Sequence, residues 1–189
     1  MYRIAILGSG KGSNARNLIE HFKDNPHIQV QVLVSDKPRR GFLDISYDYR
    51  INLEIIKGPE LADAKWLNRF RMKYRPDLIV LAGYLKLIPT EMIQAFQGKI
   101  INLHPSLLPK FGGKGMYGSN VHQAVLQAGE TESGITVHYV NEQYDQGQVI
   151  RQEKCTVEPG DTVESLAHKI HQLEHSALPE VIQKLAVHP

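Results

Sequence analysis

The stretch YRIAILGSGKGSNARNLIEHFK, Tyr2 to Lys23, runs from aliphatic to glycine-rich to amphipathic without a break, and that order decides the fold class. Tyr2–Leu7 is a short β-branched and aliphatic run of the kind that forms a buried strand. Gly8, Gly10 and Gly12 follow, where the backbone can turn tightly because no Cβ restricts it. Leu18, Ile19 and Phe22 then recur at helical spacing and share one face. Strand, tight turn and helix make the opening of a βαβ unit. The next run, IQVQVLVS (Ile28 to Ser35), supplies the second strand.

The alternation continues to the end of the chain. GFLDISYDYR (41–50) reads as a helix and NLEIIK (52–57) as a strand. ELADAKWLNRFRMKY (60–74) reads as one helix with Leu61, Trp66, Phe70 and Tyr74 on its inner side. DLIVLAG (77–83) is apolar on both faces, as central parallel strands are. TEMIQAFQ (90–97) is a short helix with Thr90 as the expected cap, and GKIINLH (98–104) is a fifth strand. VHQAVLQAG (121–129) is a helix closed by Gly129. GITVHYV (134–140) and QVIRQEKCTV (148–157) have no helix between them and are expected to pair antiparallel at an edge. Residues 161–186 form a terminal helix, capped by Asp161 or Thr162, with a kink expected at Pro179.

This pattern predicts an α/β, Rossmann-like fold: a mostly parallel twisted sheet of about seven strands, helices on both faces, and an antiparallel edge near the C-terminus. With no repeat, linker or low-complexity segment, residues 1–189 are expected to form a single domain. Ligands in such sheets bind beyond the carboxyl ends of the strands. The glycine loop, HPSLLP (104–109) and the segment after VHYV all follow strands, so all three are expected at one edge.

Composition narrows the partners. Lys and Arg total 22 against 20 Asp and Glu, a formal charge of +2, which advertises neither nucleic acid nor an anionic membrane. No apolar run approaches the roughly 20 residues of a membrane span, and the N-terminal run turns glycine-rich instead of leading to a cleavage site. A single cysteine, Cys155, excludes an internal disulfide framework and suits a reducing compartment. A cytoplasmic protein acting on small molecules is the expectation.

Two segments carry chemistry. The glycine loop fits neither stock phosphate motif: Ser13 stands where G-x-G-x-x-G needs glycine, and Lys11 precedes Gly12 where a Walker loop needs Ser or Thr. Ser13 and Asn14 nevertheless open a helix whose free N–H groups favour an anion, and a phosphate monoester suits them. An ordinary βα turn reads the same way. Asp36 after the second strand mimics a ribose-binding acid, but the broken fingerprint disfavours a dinucleotide. At the end of the fifth strand, Asn102 and His104 lie two residues apart and so face one way. An amide beside an imidazole suits an oxyanion site with a proton carrier; two polar strand-end caps would look alike. Asp145, before Gln146 and Gly147, is by itself a turn residue. Placed near His104, it is expected to raise the imidazole pKa and relay protons.

NLHPSLLPKF (102–111) followed by GITVHYVNEQYDQGQVI (134–150) resembles the formyltransferases that use 10-formyltetrahydrofolate. GSGKGSN (8–14), SDKP (35–38) and VLAGYLKLI (80–88) extend the resemblance over essentially the whole chain, toward members that formylate glycinamide ribonucleotide (GAR) in purine biosynthesis. The resemblance implies a catalytic set of Asn102, His104 and Asp145. It implies GAR binding by Gly12, Ser13 and Asn14 at the phosphate and Glu174 at the ribose. The pterin of the folate co-substrate would be enclosed by Tyr84, Leu85, Lys86, Leu87 and Ile88 and by Asn141, Glu142, Gln143 and Tyr144. No metal, nucleic acid or membrane is implied, and the state is expected to be a monomer or weak homodimer. Departures are His171, where relatives can carry Gln, Lys11, where they often carry Asn, and the GGKGMYGSNVH segment (112–122), longer than the shortest family versions.

Rival readings are weaker. HQLEH (171–175) satisfies a zinc-peptidase pattern, but Glu180 is the one carboxylate side chain after it. A tRNA formyltransferase is expected to carry a further domain and a basic surface, and a formyltetrahydrofolate deformylase a regulatory domain; neither needs the phosphate loop. A non-catalytic folate- or nucleotide-binding module has no use for a proton relay. His138 is read as a structural strand histidine, and Arg69, Arg71, Lys73 and Arg75 as a solvated helix face.

Overall fold

The computed structural model describes residues 1–37 and 41–187. Seven strands, β1 (Tyr2–Gly8), β2 (Ile28–Ser35), β3 (Asn52–Ile55), β4 (Leu78–Leu81), β5 (Ile100–His104), β6 (Glu132–Tyr139) and β7 (Val149–Thr156), lie in the order β3-β2-β1-β4-β5-β6-β7. Among the described residues the helices are α1 (Ser13–Phe22), α2 (Phe42–Tyr49), α3 (Ala64–Tyr74), α4 (Thr90–Ala95), α5 (Ser119–Gln127) and α6 (Val163–Val187). β1 pairs parallel with β2 and β4, β2 pairs parallel with β3, and β6 with β7 is antiparallel. The expected α/β class, strand number and antiparallel C-terminal edge are what the chain adopts. SDKP falls partly outside the described residues, at Pro38.

Contacts group the chain into two compact units, residues 1–101 and the part from Asn102 onward. In the first unit β1 is the central strand: β2 and β3 build out on one side of it and β4 on the other. That reversal is a topological switch point, the place where α/β sheets open a crevice. The pairing persists past the strand ends, with Ser9 N–H donating to the Gly83 carbonyl at 3.0 Å. The glycine loop therefore starts beside residues 83 and 84. Gly12 sits at φ +79°, and a Cβ there would lie 2.6 Å from Ile45 Cδ1, so both backbone and space require glycine. Ala15, Leu18, Ile19 and Phe22 bury the inner face of α1, each large side chain contributing about 1.5–3 kcal/mol.

Two helix boundaries differ from expectation. Residues 60–74 are not one helix: a 3-10 turn spans Gly58–Ala62, and α3 starts afresh at Ala64. Asp63 is the reason, because its carboxylate accepts from Trp66 N–H at 2.7 Å and caps the new helix. Leu61, Trp66, Phe70 and Tyr74 are all buried as expected. Thr90 is the first residue of α4 and not its cap; Pro89 holds the cap position, with no side-chain bond. On α3, Arg69 and Lys73 are solvated but lie 3.3 and 3.8 Å from Glu54, on β3.

In the second unit, β6 and β7 run in register from Glu132↔Thr156 to Val137↔Arg151 and shift between Val137 and His138. Thr162 caps α6, accepting from Ser165 N–H at 3.2 Å, and Asp161, held to about pKa 2 by Lys169, Ser165 and Glu158 N–H, braces the same turn. α6 continues past Pro179, whose ring is buried. Among the described residues no helix is long and apolar enough to cross a membrane.

Gly147 closes the β6–β7 turn against its own strand. A Cβ there would overlap the Tyr139 carbonyl oxygen and lie 2.7 Å from its carbon and 3.3 Å from His138 Nδ1. Gly147→Ala is expected to cost about 3 kcal/mol or more by overpacking, which lowers the thermal midpoint by roughly 6–12 °C in a chain of this size. Calorimetry checks it; a midpoint within two or so degrees of wild type contradicts this packing.

Candidate active site

β5 ends on the two residues that alternation places on one side, and Asp145 comes to meet them. Asp145 sits in the β6–β7 turn at φ +55°, a left-handed conformation unusual for a residue with a Cβ. Its Oδ1 lies 3.3 Å from Asn102 Nδ2, 3.5 Å from His104 Nδ1 and 3.6 Å from His138 Nε2. Its Oδ2 accepts from Gly113 N–H at 2.9 Å. Gly112 permits that approach: a Cβ there would lie 3.2 Å from Asp145 Cβ and 2.6 Å from Leu108 Cδ2.

The carbonyl partners assign the protons. His104 Nε2 is 2.9 Å from the Phe111 carbonyl, and a carbonyl can only accept, so Nε2 carries hydrogen. His138 Nδ1 donates to the Tyr139 carbonyl at 2.8 Å, leaving its Nε2 to accept from the Asn102 amide at 3.2 Å. Asn102 thus divides its N–H bonds between His138 and Asp145, which fixes the amide's orientation. The HPSLLP segment is pinned underneath: Ser106 Oγ donates to the Lys110 carbonyl at 2.7 Å, and Thr136 Oγ1 donates to the Ser106 carbonyl at 2.7 Å.

Burial decides the charges. Burial pushes the Asp145 carboxyl up, but His138 and His104, each through the proton its facing nitrogen gains when the ring is charged, and the Gly113 N–H hold it below the ordinary carboxylate range. His104 moves the other way from expectation. Asp145 and the Phe111 carbonyl do raise it, yet burial outweighs them and the imidazole titrates below its usual value. The centre therefore holds an ionised carboxylate beside a neutral imidazole at neutral pH.

The buried His104 and His122 and the half-buried His175 make stability depend on pH. His104, His122 and His175 are all lowered, burial being the largest cause in each. An unfolded chain takes protons on these rings near pH 6.5 while the folded chain does not. Stability is full above that pH and falls as pH drops through it toward the folded values. Asp145 acts in a lower window, losing its contribution as pH falls through its depressed pKa. The thermal midpoint is expected to decline from pH 7.5 to 5.5; a flat or rising midpoint contradicts the burial effect.

The remaining expected residues are placed as follows. Ser13 and Asn14 open α1, whose first turn holds no acidic side chain. Tyr84 and Ile88 are buried, whereas Leu85 and Leu87 are exposed beside them. Asn141, Glu142 and Gln143 are exposed and Tyr144 half-buried in the turn that leads to Asp145. Glu174 is buried on α6 with its Oε2 3.7 Å from Nε2 of His171. Among the described residues no group of three His, Cys, Asp or Glu side chains is arranged to hold a metal ion.

Sequence reasoning missed His138, Phe111 and Gly113. His138 is more than a strand histidine, since it orients Asn102 and faces Asp145. The signal was present: a buried imidazole on the strand that leads into the Asp145 turn. The Phe111 and Gly113 contributions are backbone groups and leave no mark on residue identity.

The formyl transferase family matches residues 2–182. The chain is 39% identical over 186 residues to the chloroplastic phosphoribosylglycinamide formyltransferase of Arabidopsis thaliana, covering 95% of this chain and 64% of that one. It is 41% identical to the corresponding Vigna unguiculata protein, covering 97% and 60%. It therefore spans somewhat under two thirds of these curated relatives. Glycinamide ribonucleotide transformylase 1 of Geobacillus kaustophilus superposes with a TM-score of 0.88 at 34% identity, covering 98% of this chain and 99% of that one.

Proposed function

The chain belongs to the formyl transferase family, and from that premise we propose that it transfers the formyl group of 10-formyltetrahydrofolate to the amine of GAR in purine biosynthesis. The observation that carries this reading is the single carboxylate oxygen, Asp145 Oδ1, facing Asn102, His104 and His138. Transfer has two demands. The amine nitrogen attacks the formyl carbon, and the carbonyl oxygen becomes an oxyanion in the tetrahedral intermediate. The carbon then separates from folate N10, and the proton that the amine gives up ends on that nitrogen.

In this reading His104 donates through Nε2–H to the oxyanion, and Asn102 supplies a second dipole. A preorganised donor of this kind is worth about 100- to 1,000-fold in rate. Asp145, ionised and buried, balances the positive charge that builds on amine and imidazole and guides the proton between the two nitrogens. His138 is a positioning residue that keeps the Asn102 amide turned toward the centre. Gly12, Ser13 and Asn14 take the phosphate, Glu174 the ribose hydroxyls, and residues 84–88 and 141–144 the pterin. Residues 1–189 act as one catalytic domain in the cytoplasm, as a monomer or weak homodimer, with no metal in the reaction.

The test mixes the protein with 10-formyltetrahydrofolate, with and without GAR, and follows tetrahydrofolate and formylated product together. Equal yields that require GAR support the transfer. Tetrahydrofolate release without GAR points to a deformylase, and no release from folded protein overturns formyl chemistry.

A further inference from the structure

Asp36, just beyond β2, has a side chain only 3% exposed, and the proposed chemistry gives it no task. Its surroundings are built for a carboxylate. Ser9 donates its hydroxyl to Asp36, and Lys86 Nζ lies 3.0 Å from Oδ2. Burial pushes the carboxyl up, but Ser9 and Lys86 hold it below its usual value, so the charge persists. Ser9 Oγ also accepts from Leu85 N–H at 3.3 Å. Burial and, less strongly, the negative charge of Asp36 push the Tyr84 hydroxyl up; that hydroxyl and Asp36 Oδ1 are buried with no hydrogen-bond partner among the described residues.

Two consecutive residues, Leu85 and Lys86, are therefore fastened through Ser9 and Asp36, and Gly83 is held by the Ser9 N–H, so Tyr84 lies between fixed points. Ser9 is the second residue of the glycine loop, and its own N–H donates to Gly83. An ion pair with Asp36 buried and Lys86 half exposed adds little stability by itself, because desolvating the carboxylate offsets much of the attraction. Its geometry joins two ligand-binding segments of one unit instead.

We propose that Asp36 is a positioning residue that locks residues 84–86 onto the glycine loop, so that the surfaces taking pterin and phosphate are held as one piece. This rests on the formyl-transfer reading for the identity of the ligands, not for the link itself. Asp36→Asn keeps the shape and removes the charge. Hydrogen exchange of the full-length protein reads the link directly, and steady-state kinetics read its use.

In Asp36→Asn, peptides covering 84–88 are expected to exchange about tenfold faster while α3 exchanges as in wild type, and KM for the formyl donor to rise by a similar factor, as loss of a charge-assisted bond implies. The turnover number stays within about threefold of wild type, since Asp36 touches no reacting atom. Lys86→Met reproduces the exchange effect, and the double variant is no worse than Asp36→Asn alone, because both break one link. Wild-type exchange at 84–88 in folded Asp36→Asn overturns the proposal, as does faster exchange with an unchanged KM. If Asp36→Asn does not fold, Lys86→Met carries the same exchange test. If the wild-type protein transfers no formyl group, the functional reading fails, and the exchange measurements alone decide the role of Asp36.

Discussion

His104→Ala is expected to lower the turnover number for formyl transfer by about 1,000- to 10,000-fold, while KM for GAR stays within a few-fold of wild type. Two losses combine at this residue. The Nε2–H donor for the oxyanion is worth about 100- to 1,000-fold, and proton handling about 100- to 10,000-fold. They are properties of one ring and do not multiply. GAR binding survives because the residues assigned to its phosphate, Gly12, Ser13 and Asn14, belong to α1 and its cap. Removing the ring leaves the Phe111 carbonyl without a donor, which costs about 1–3 kcal/mol of stability, so circular dichroism must first show the variant folded. A folded variant turning over within tenfold of wild type ends the assignment of His104 as a catalytic residue.

Asp145→Asn is the second large effect, and its signature differs. An amide can still accept from Gly113 N–H through its oxygen, but the other end then presents N–H groups to the Asn102 amide, donor against donor. The charge that raises His104 is lost, so the imidazole pKa falls further. The turnover number is expected to drop by about 100- to 10,000-fold, and the acid limb of the pH–rate profile to move to lower pH. A purely structural role for Asp145 would reduce the folded fraction and leave that limb in place, so the profile separates the two.

How much of this was legible in the sequence depended on how local the signal was. β1, α1 and β2 follow from periodicity, because burial on one face writes a pattern into consecutive residues. The split at Asp63 was missed since Leu61 and Trp66 both face inward, and inward spacing continues across a 3-10 turn and a helix alike. Thr90 was misread because Pro89 can itself hold the cap position. Asn102 and His104 were legible as a pair through strand alternation, whereas Asp145 gained meaning only through the resemblance, its own surroundings reading as a turn. The sign of the His104 shift was out of reach: a neighbouring carboxylate can be guessed from sequence, but the depth of burial that outweighs it comes from the packing of β5 and β6.

The His104–Phe111 bond has one further consequence. The hydrogen that would meet a substrate oxygen already has an acceptor, supplied by a carbonyl seven residues along the same chain. That carbonyl is a tethered competitor, present at a high effective concentration whether or not substrate is near. Under the proposed transfer a formyl oxygen gains only the difference between two bonds when it arrives, and that difference grows as the oxygen becomes negative, because charge-assisted bonds are roughly twice as strong as neutral ones. The exchange thus favours the transition state over the bound substrate, and it spares the resting protein an unsatisfied polar group in its interior.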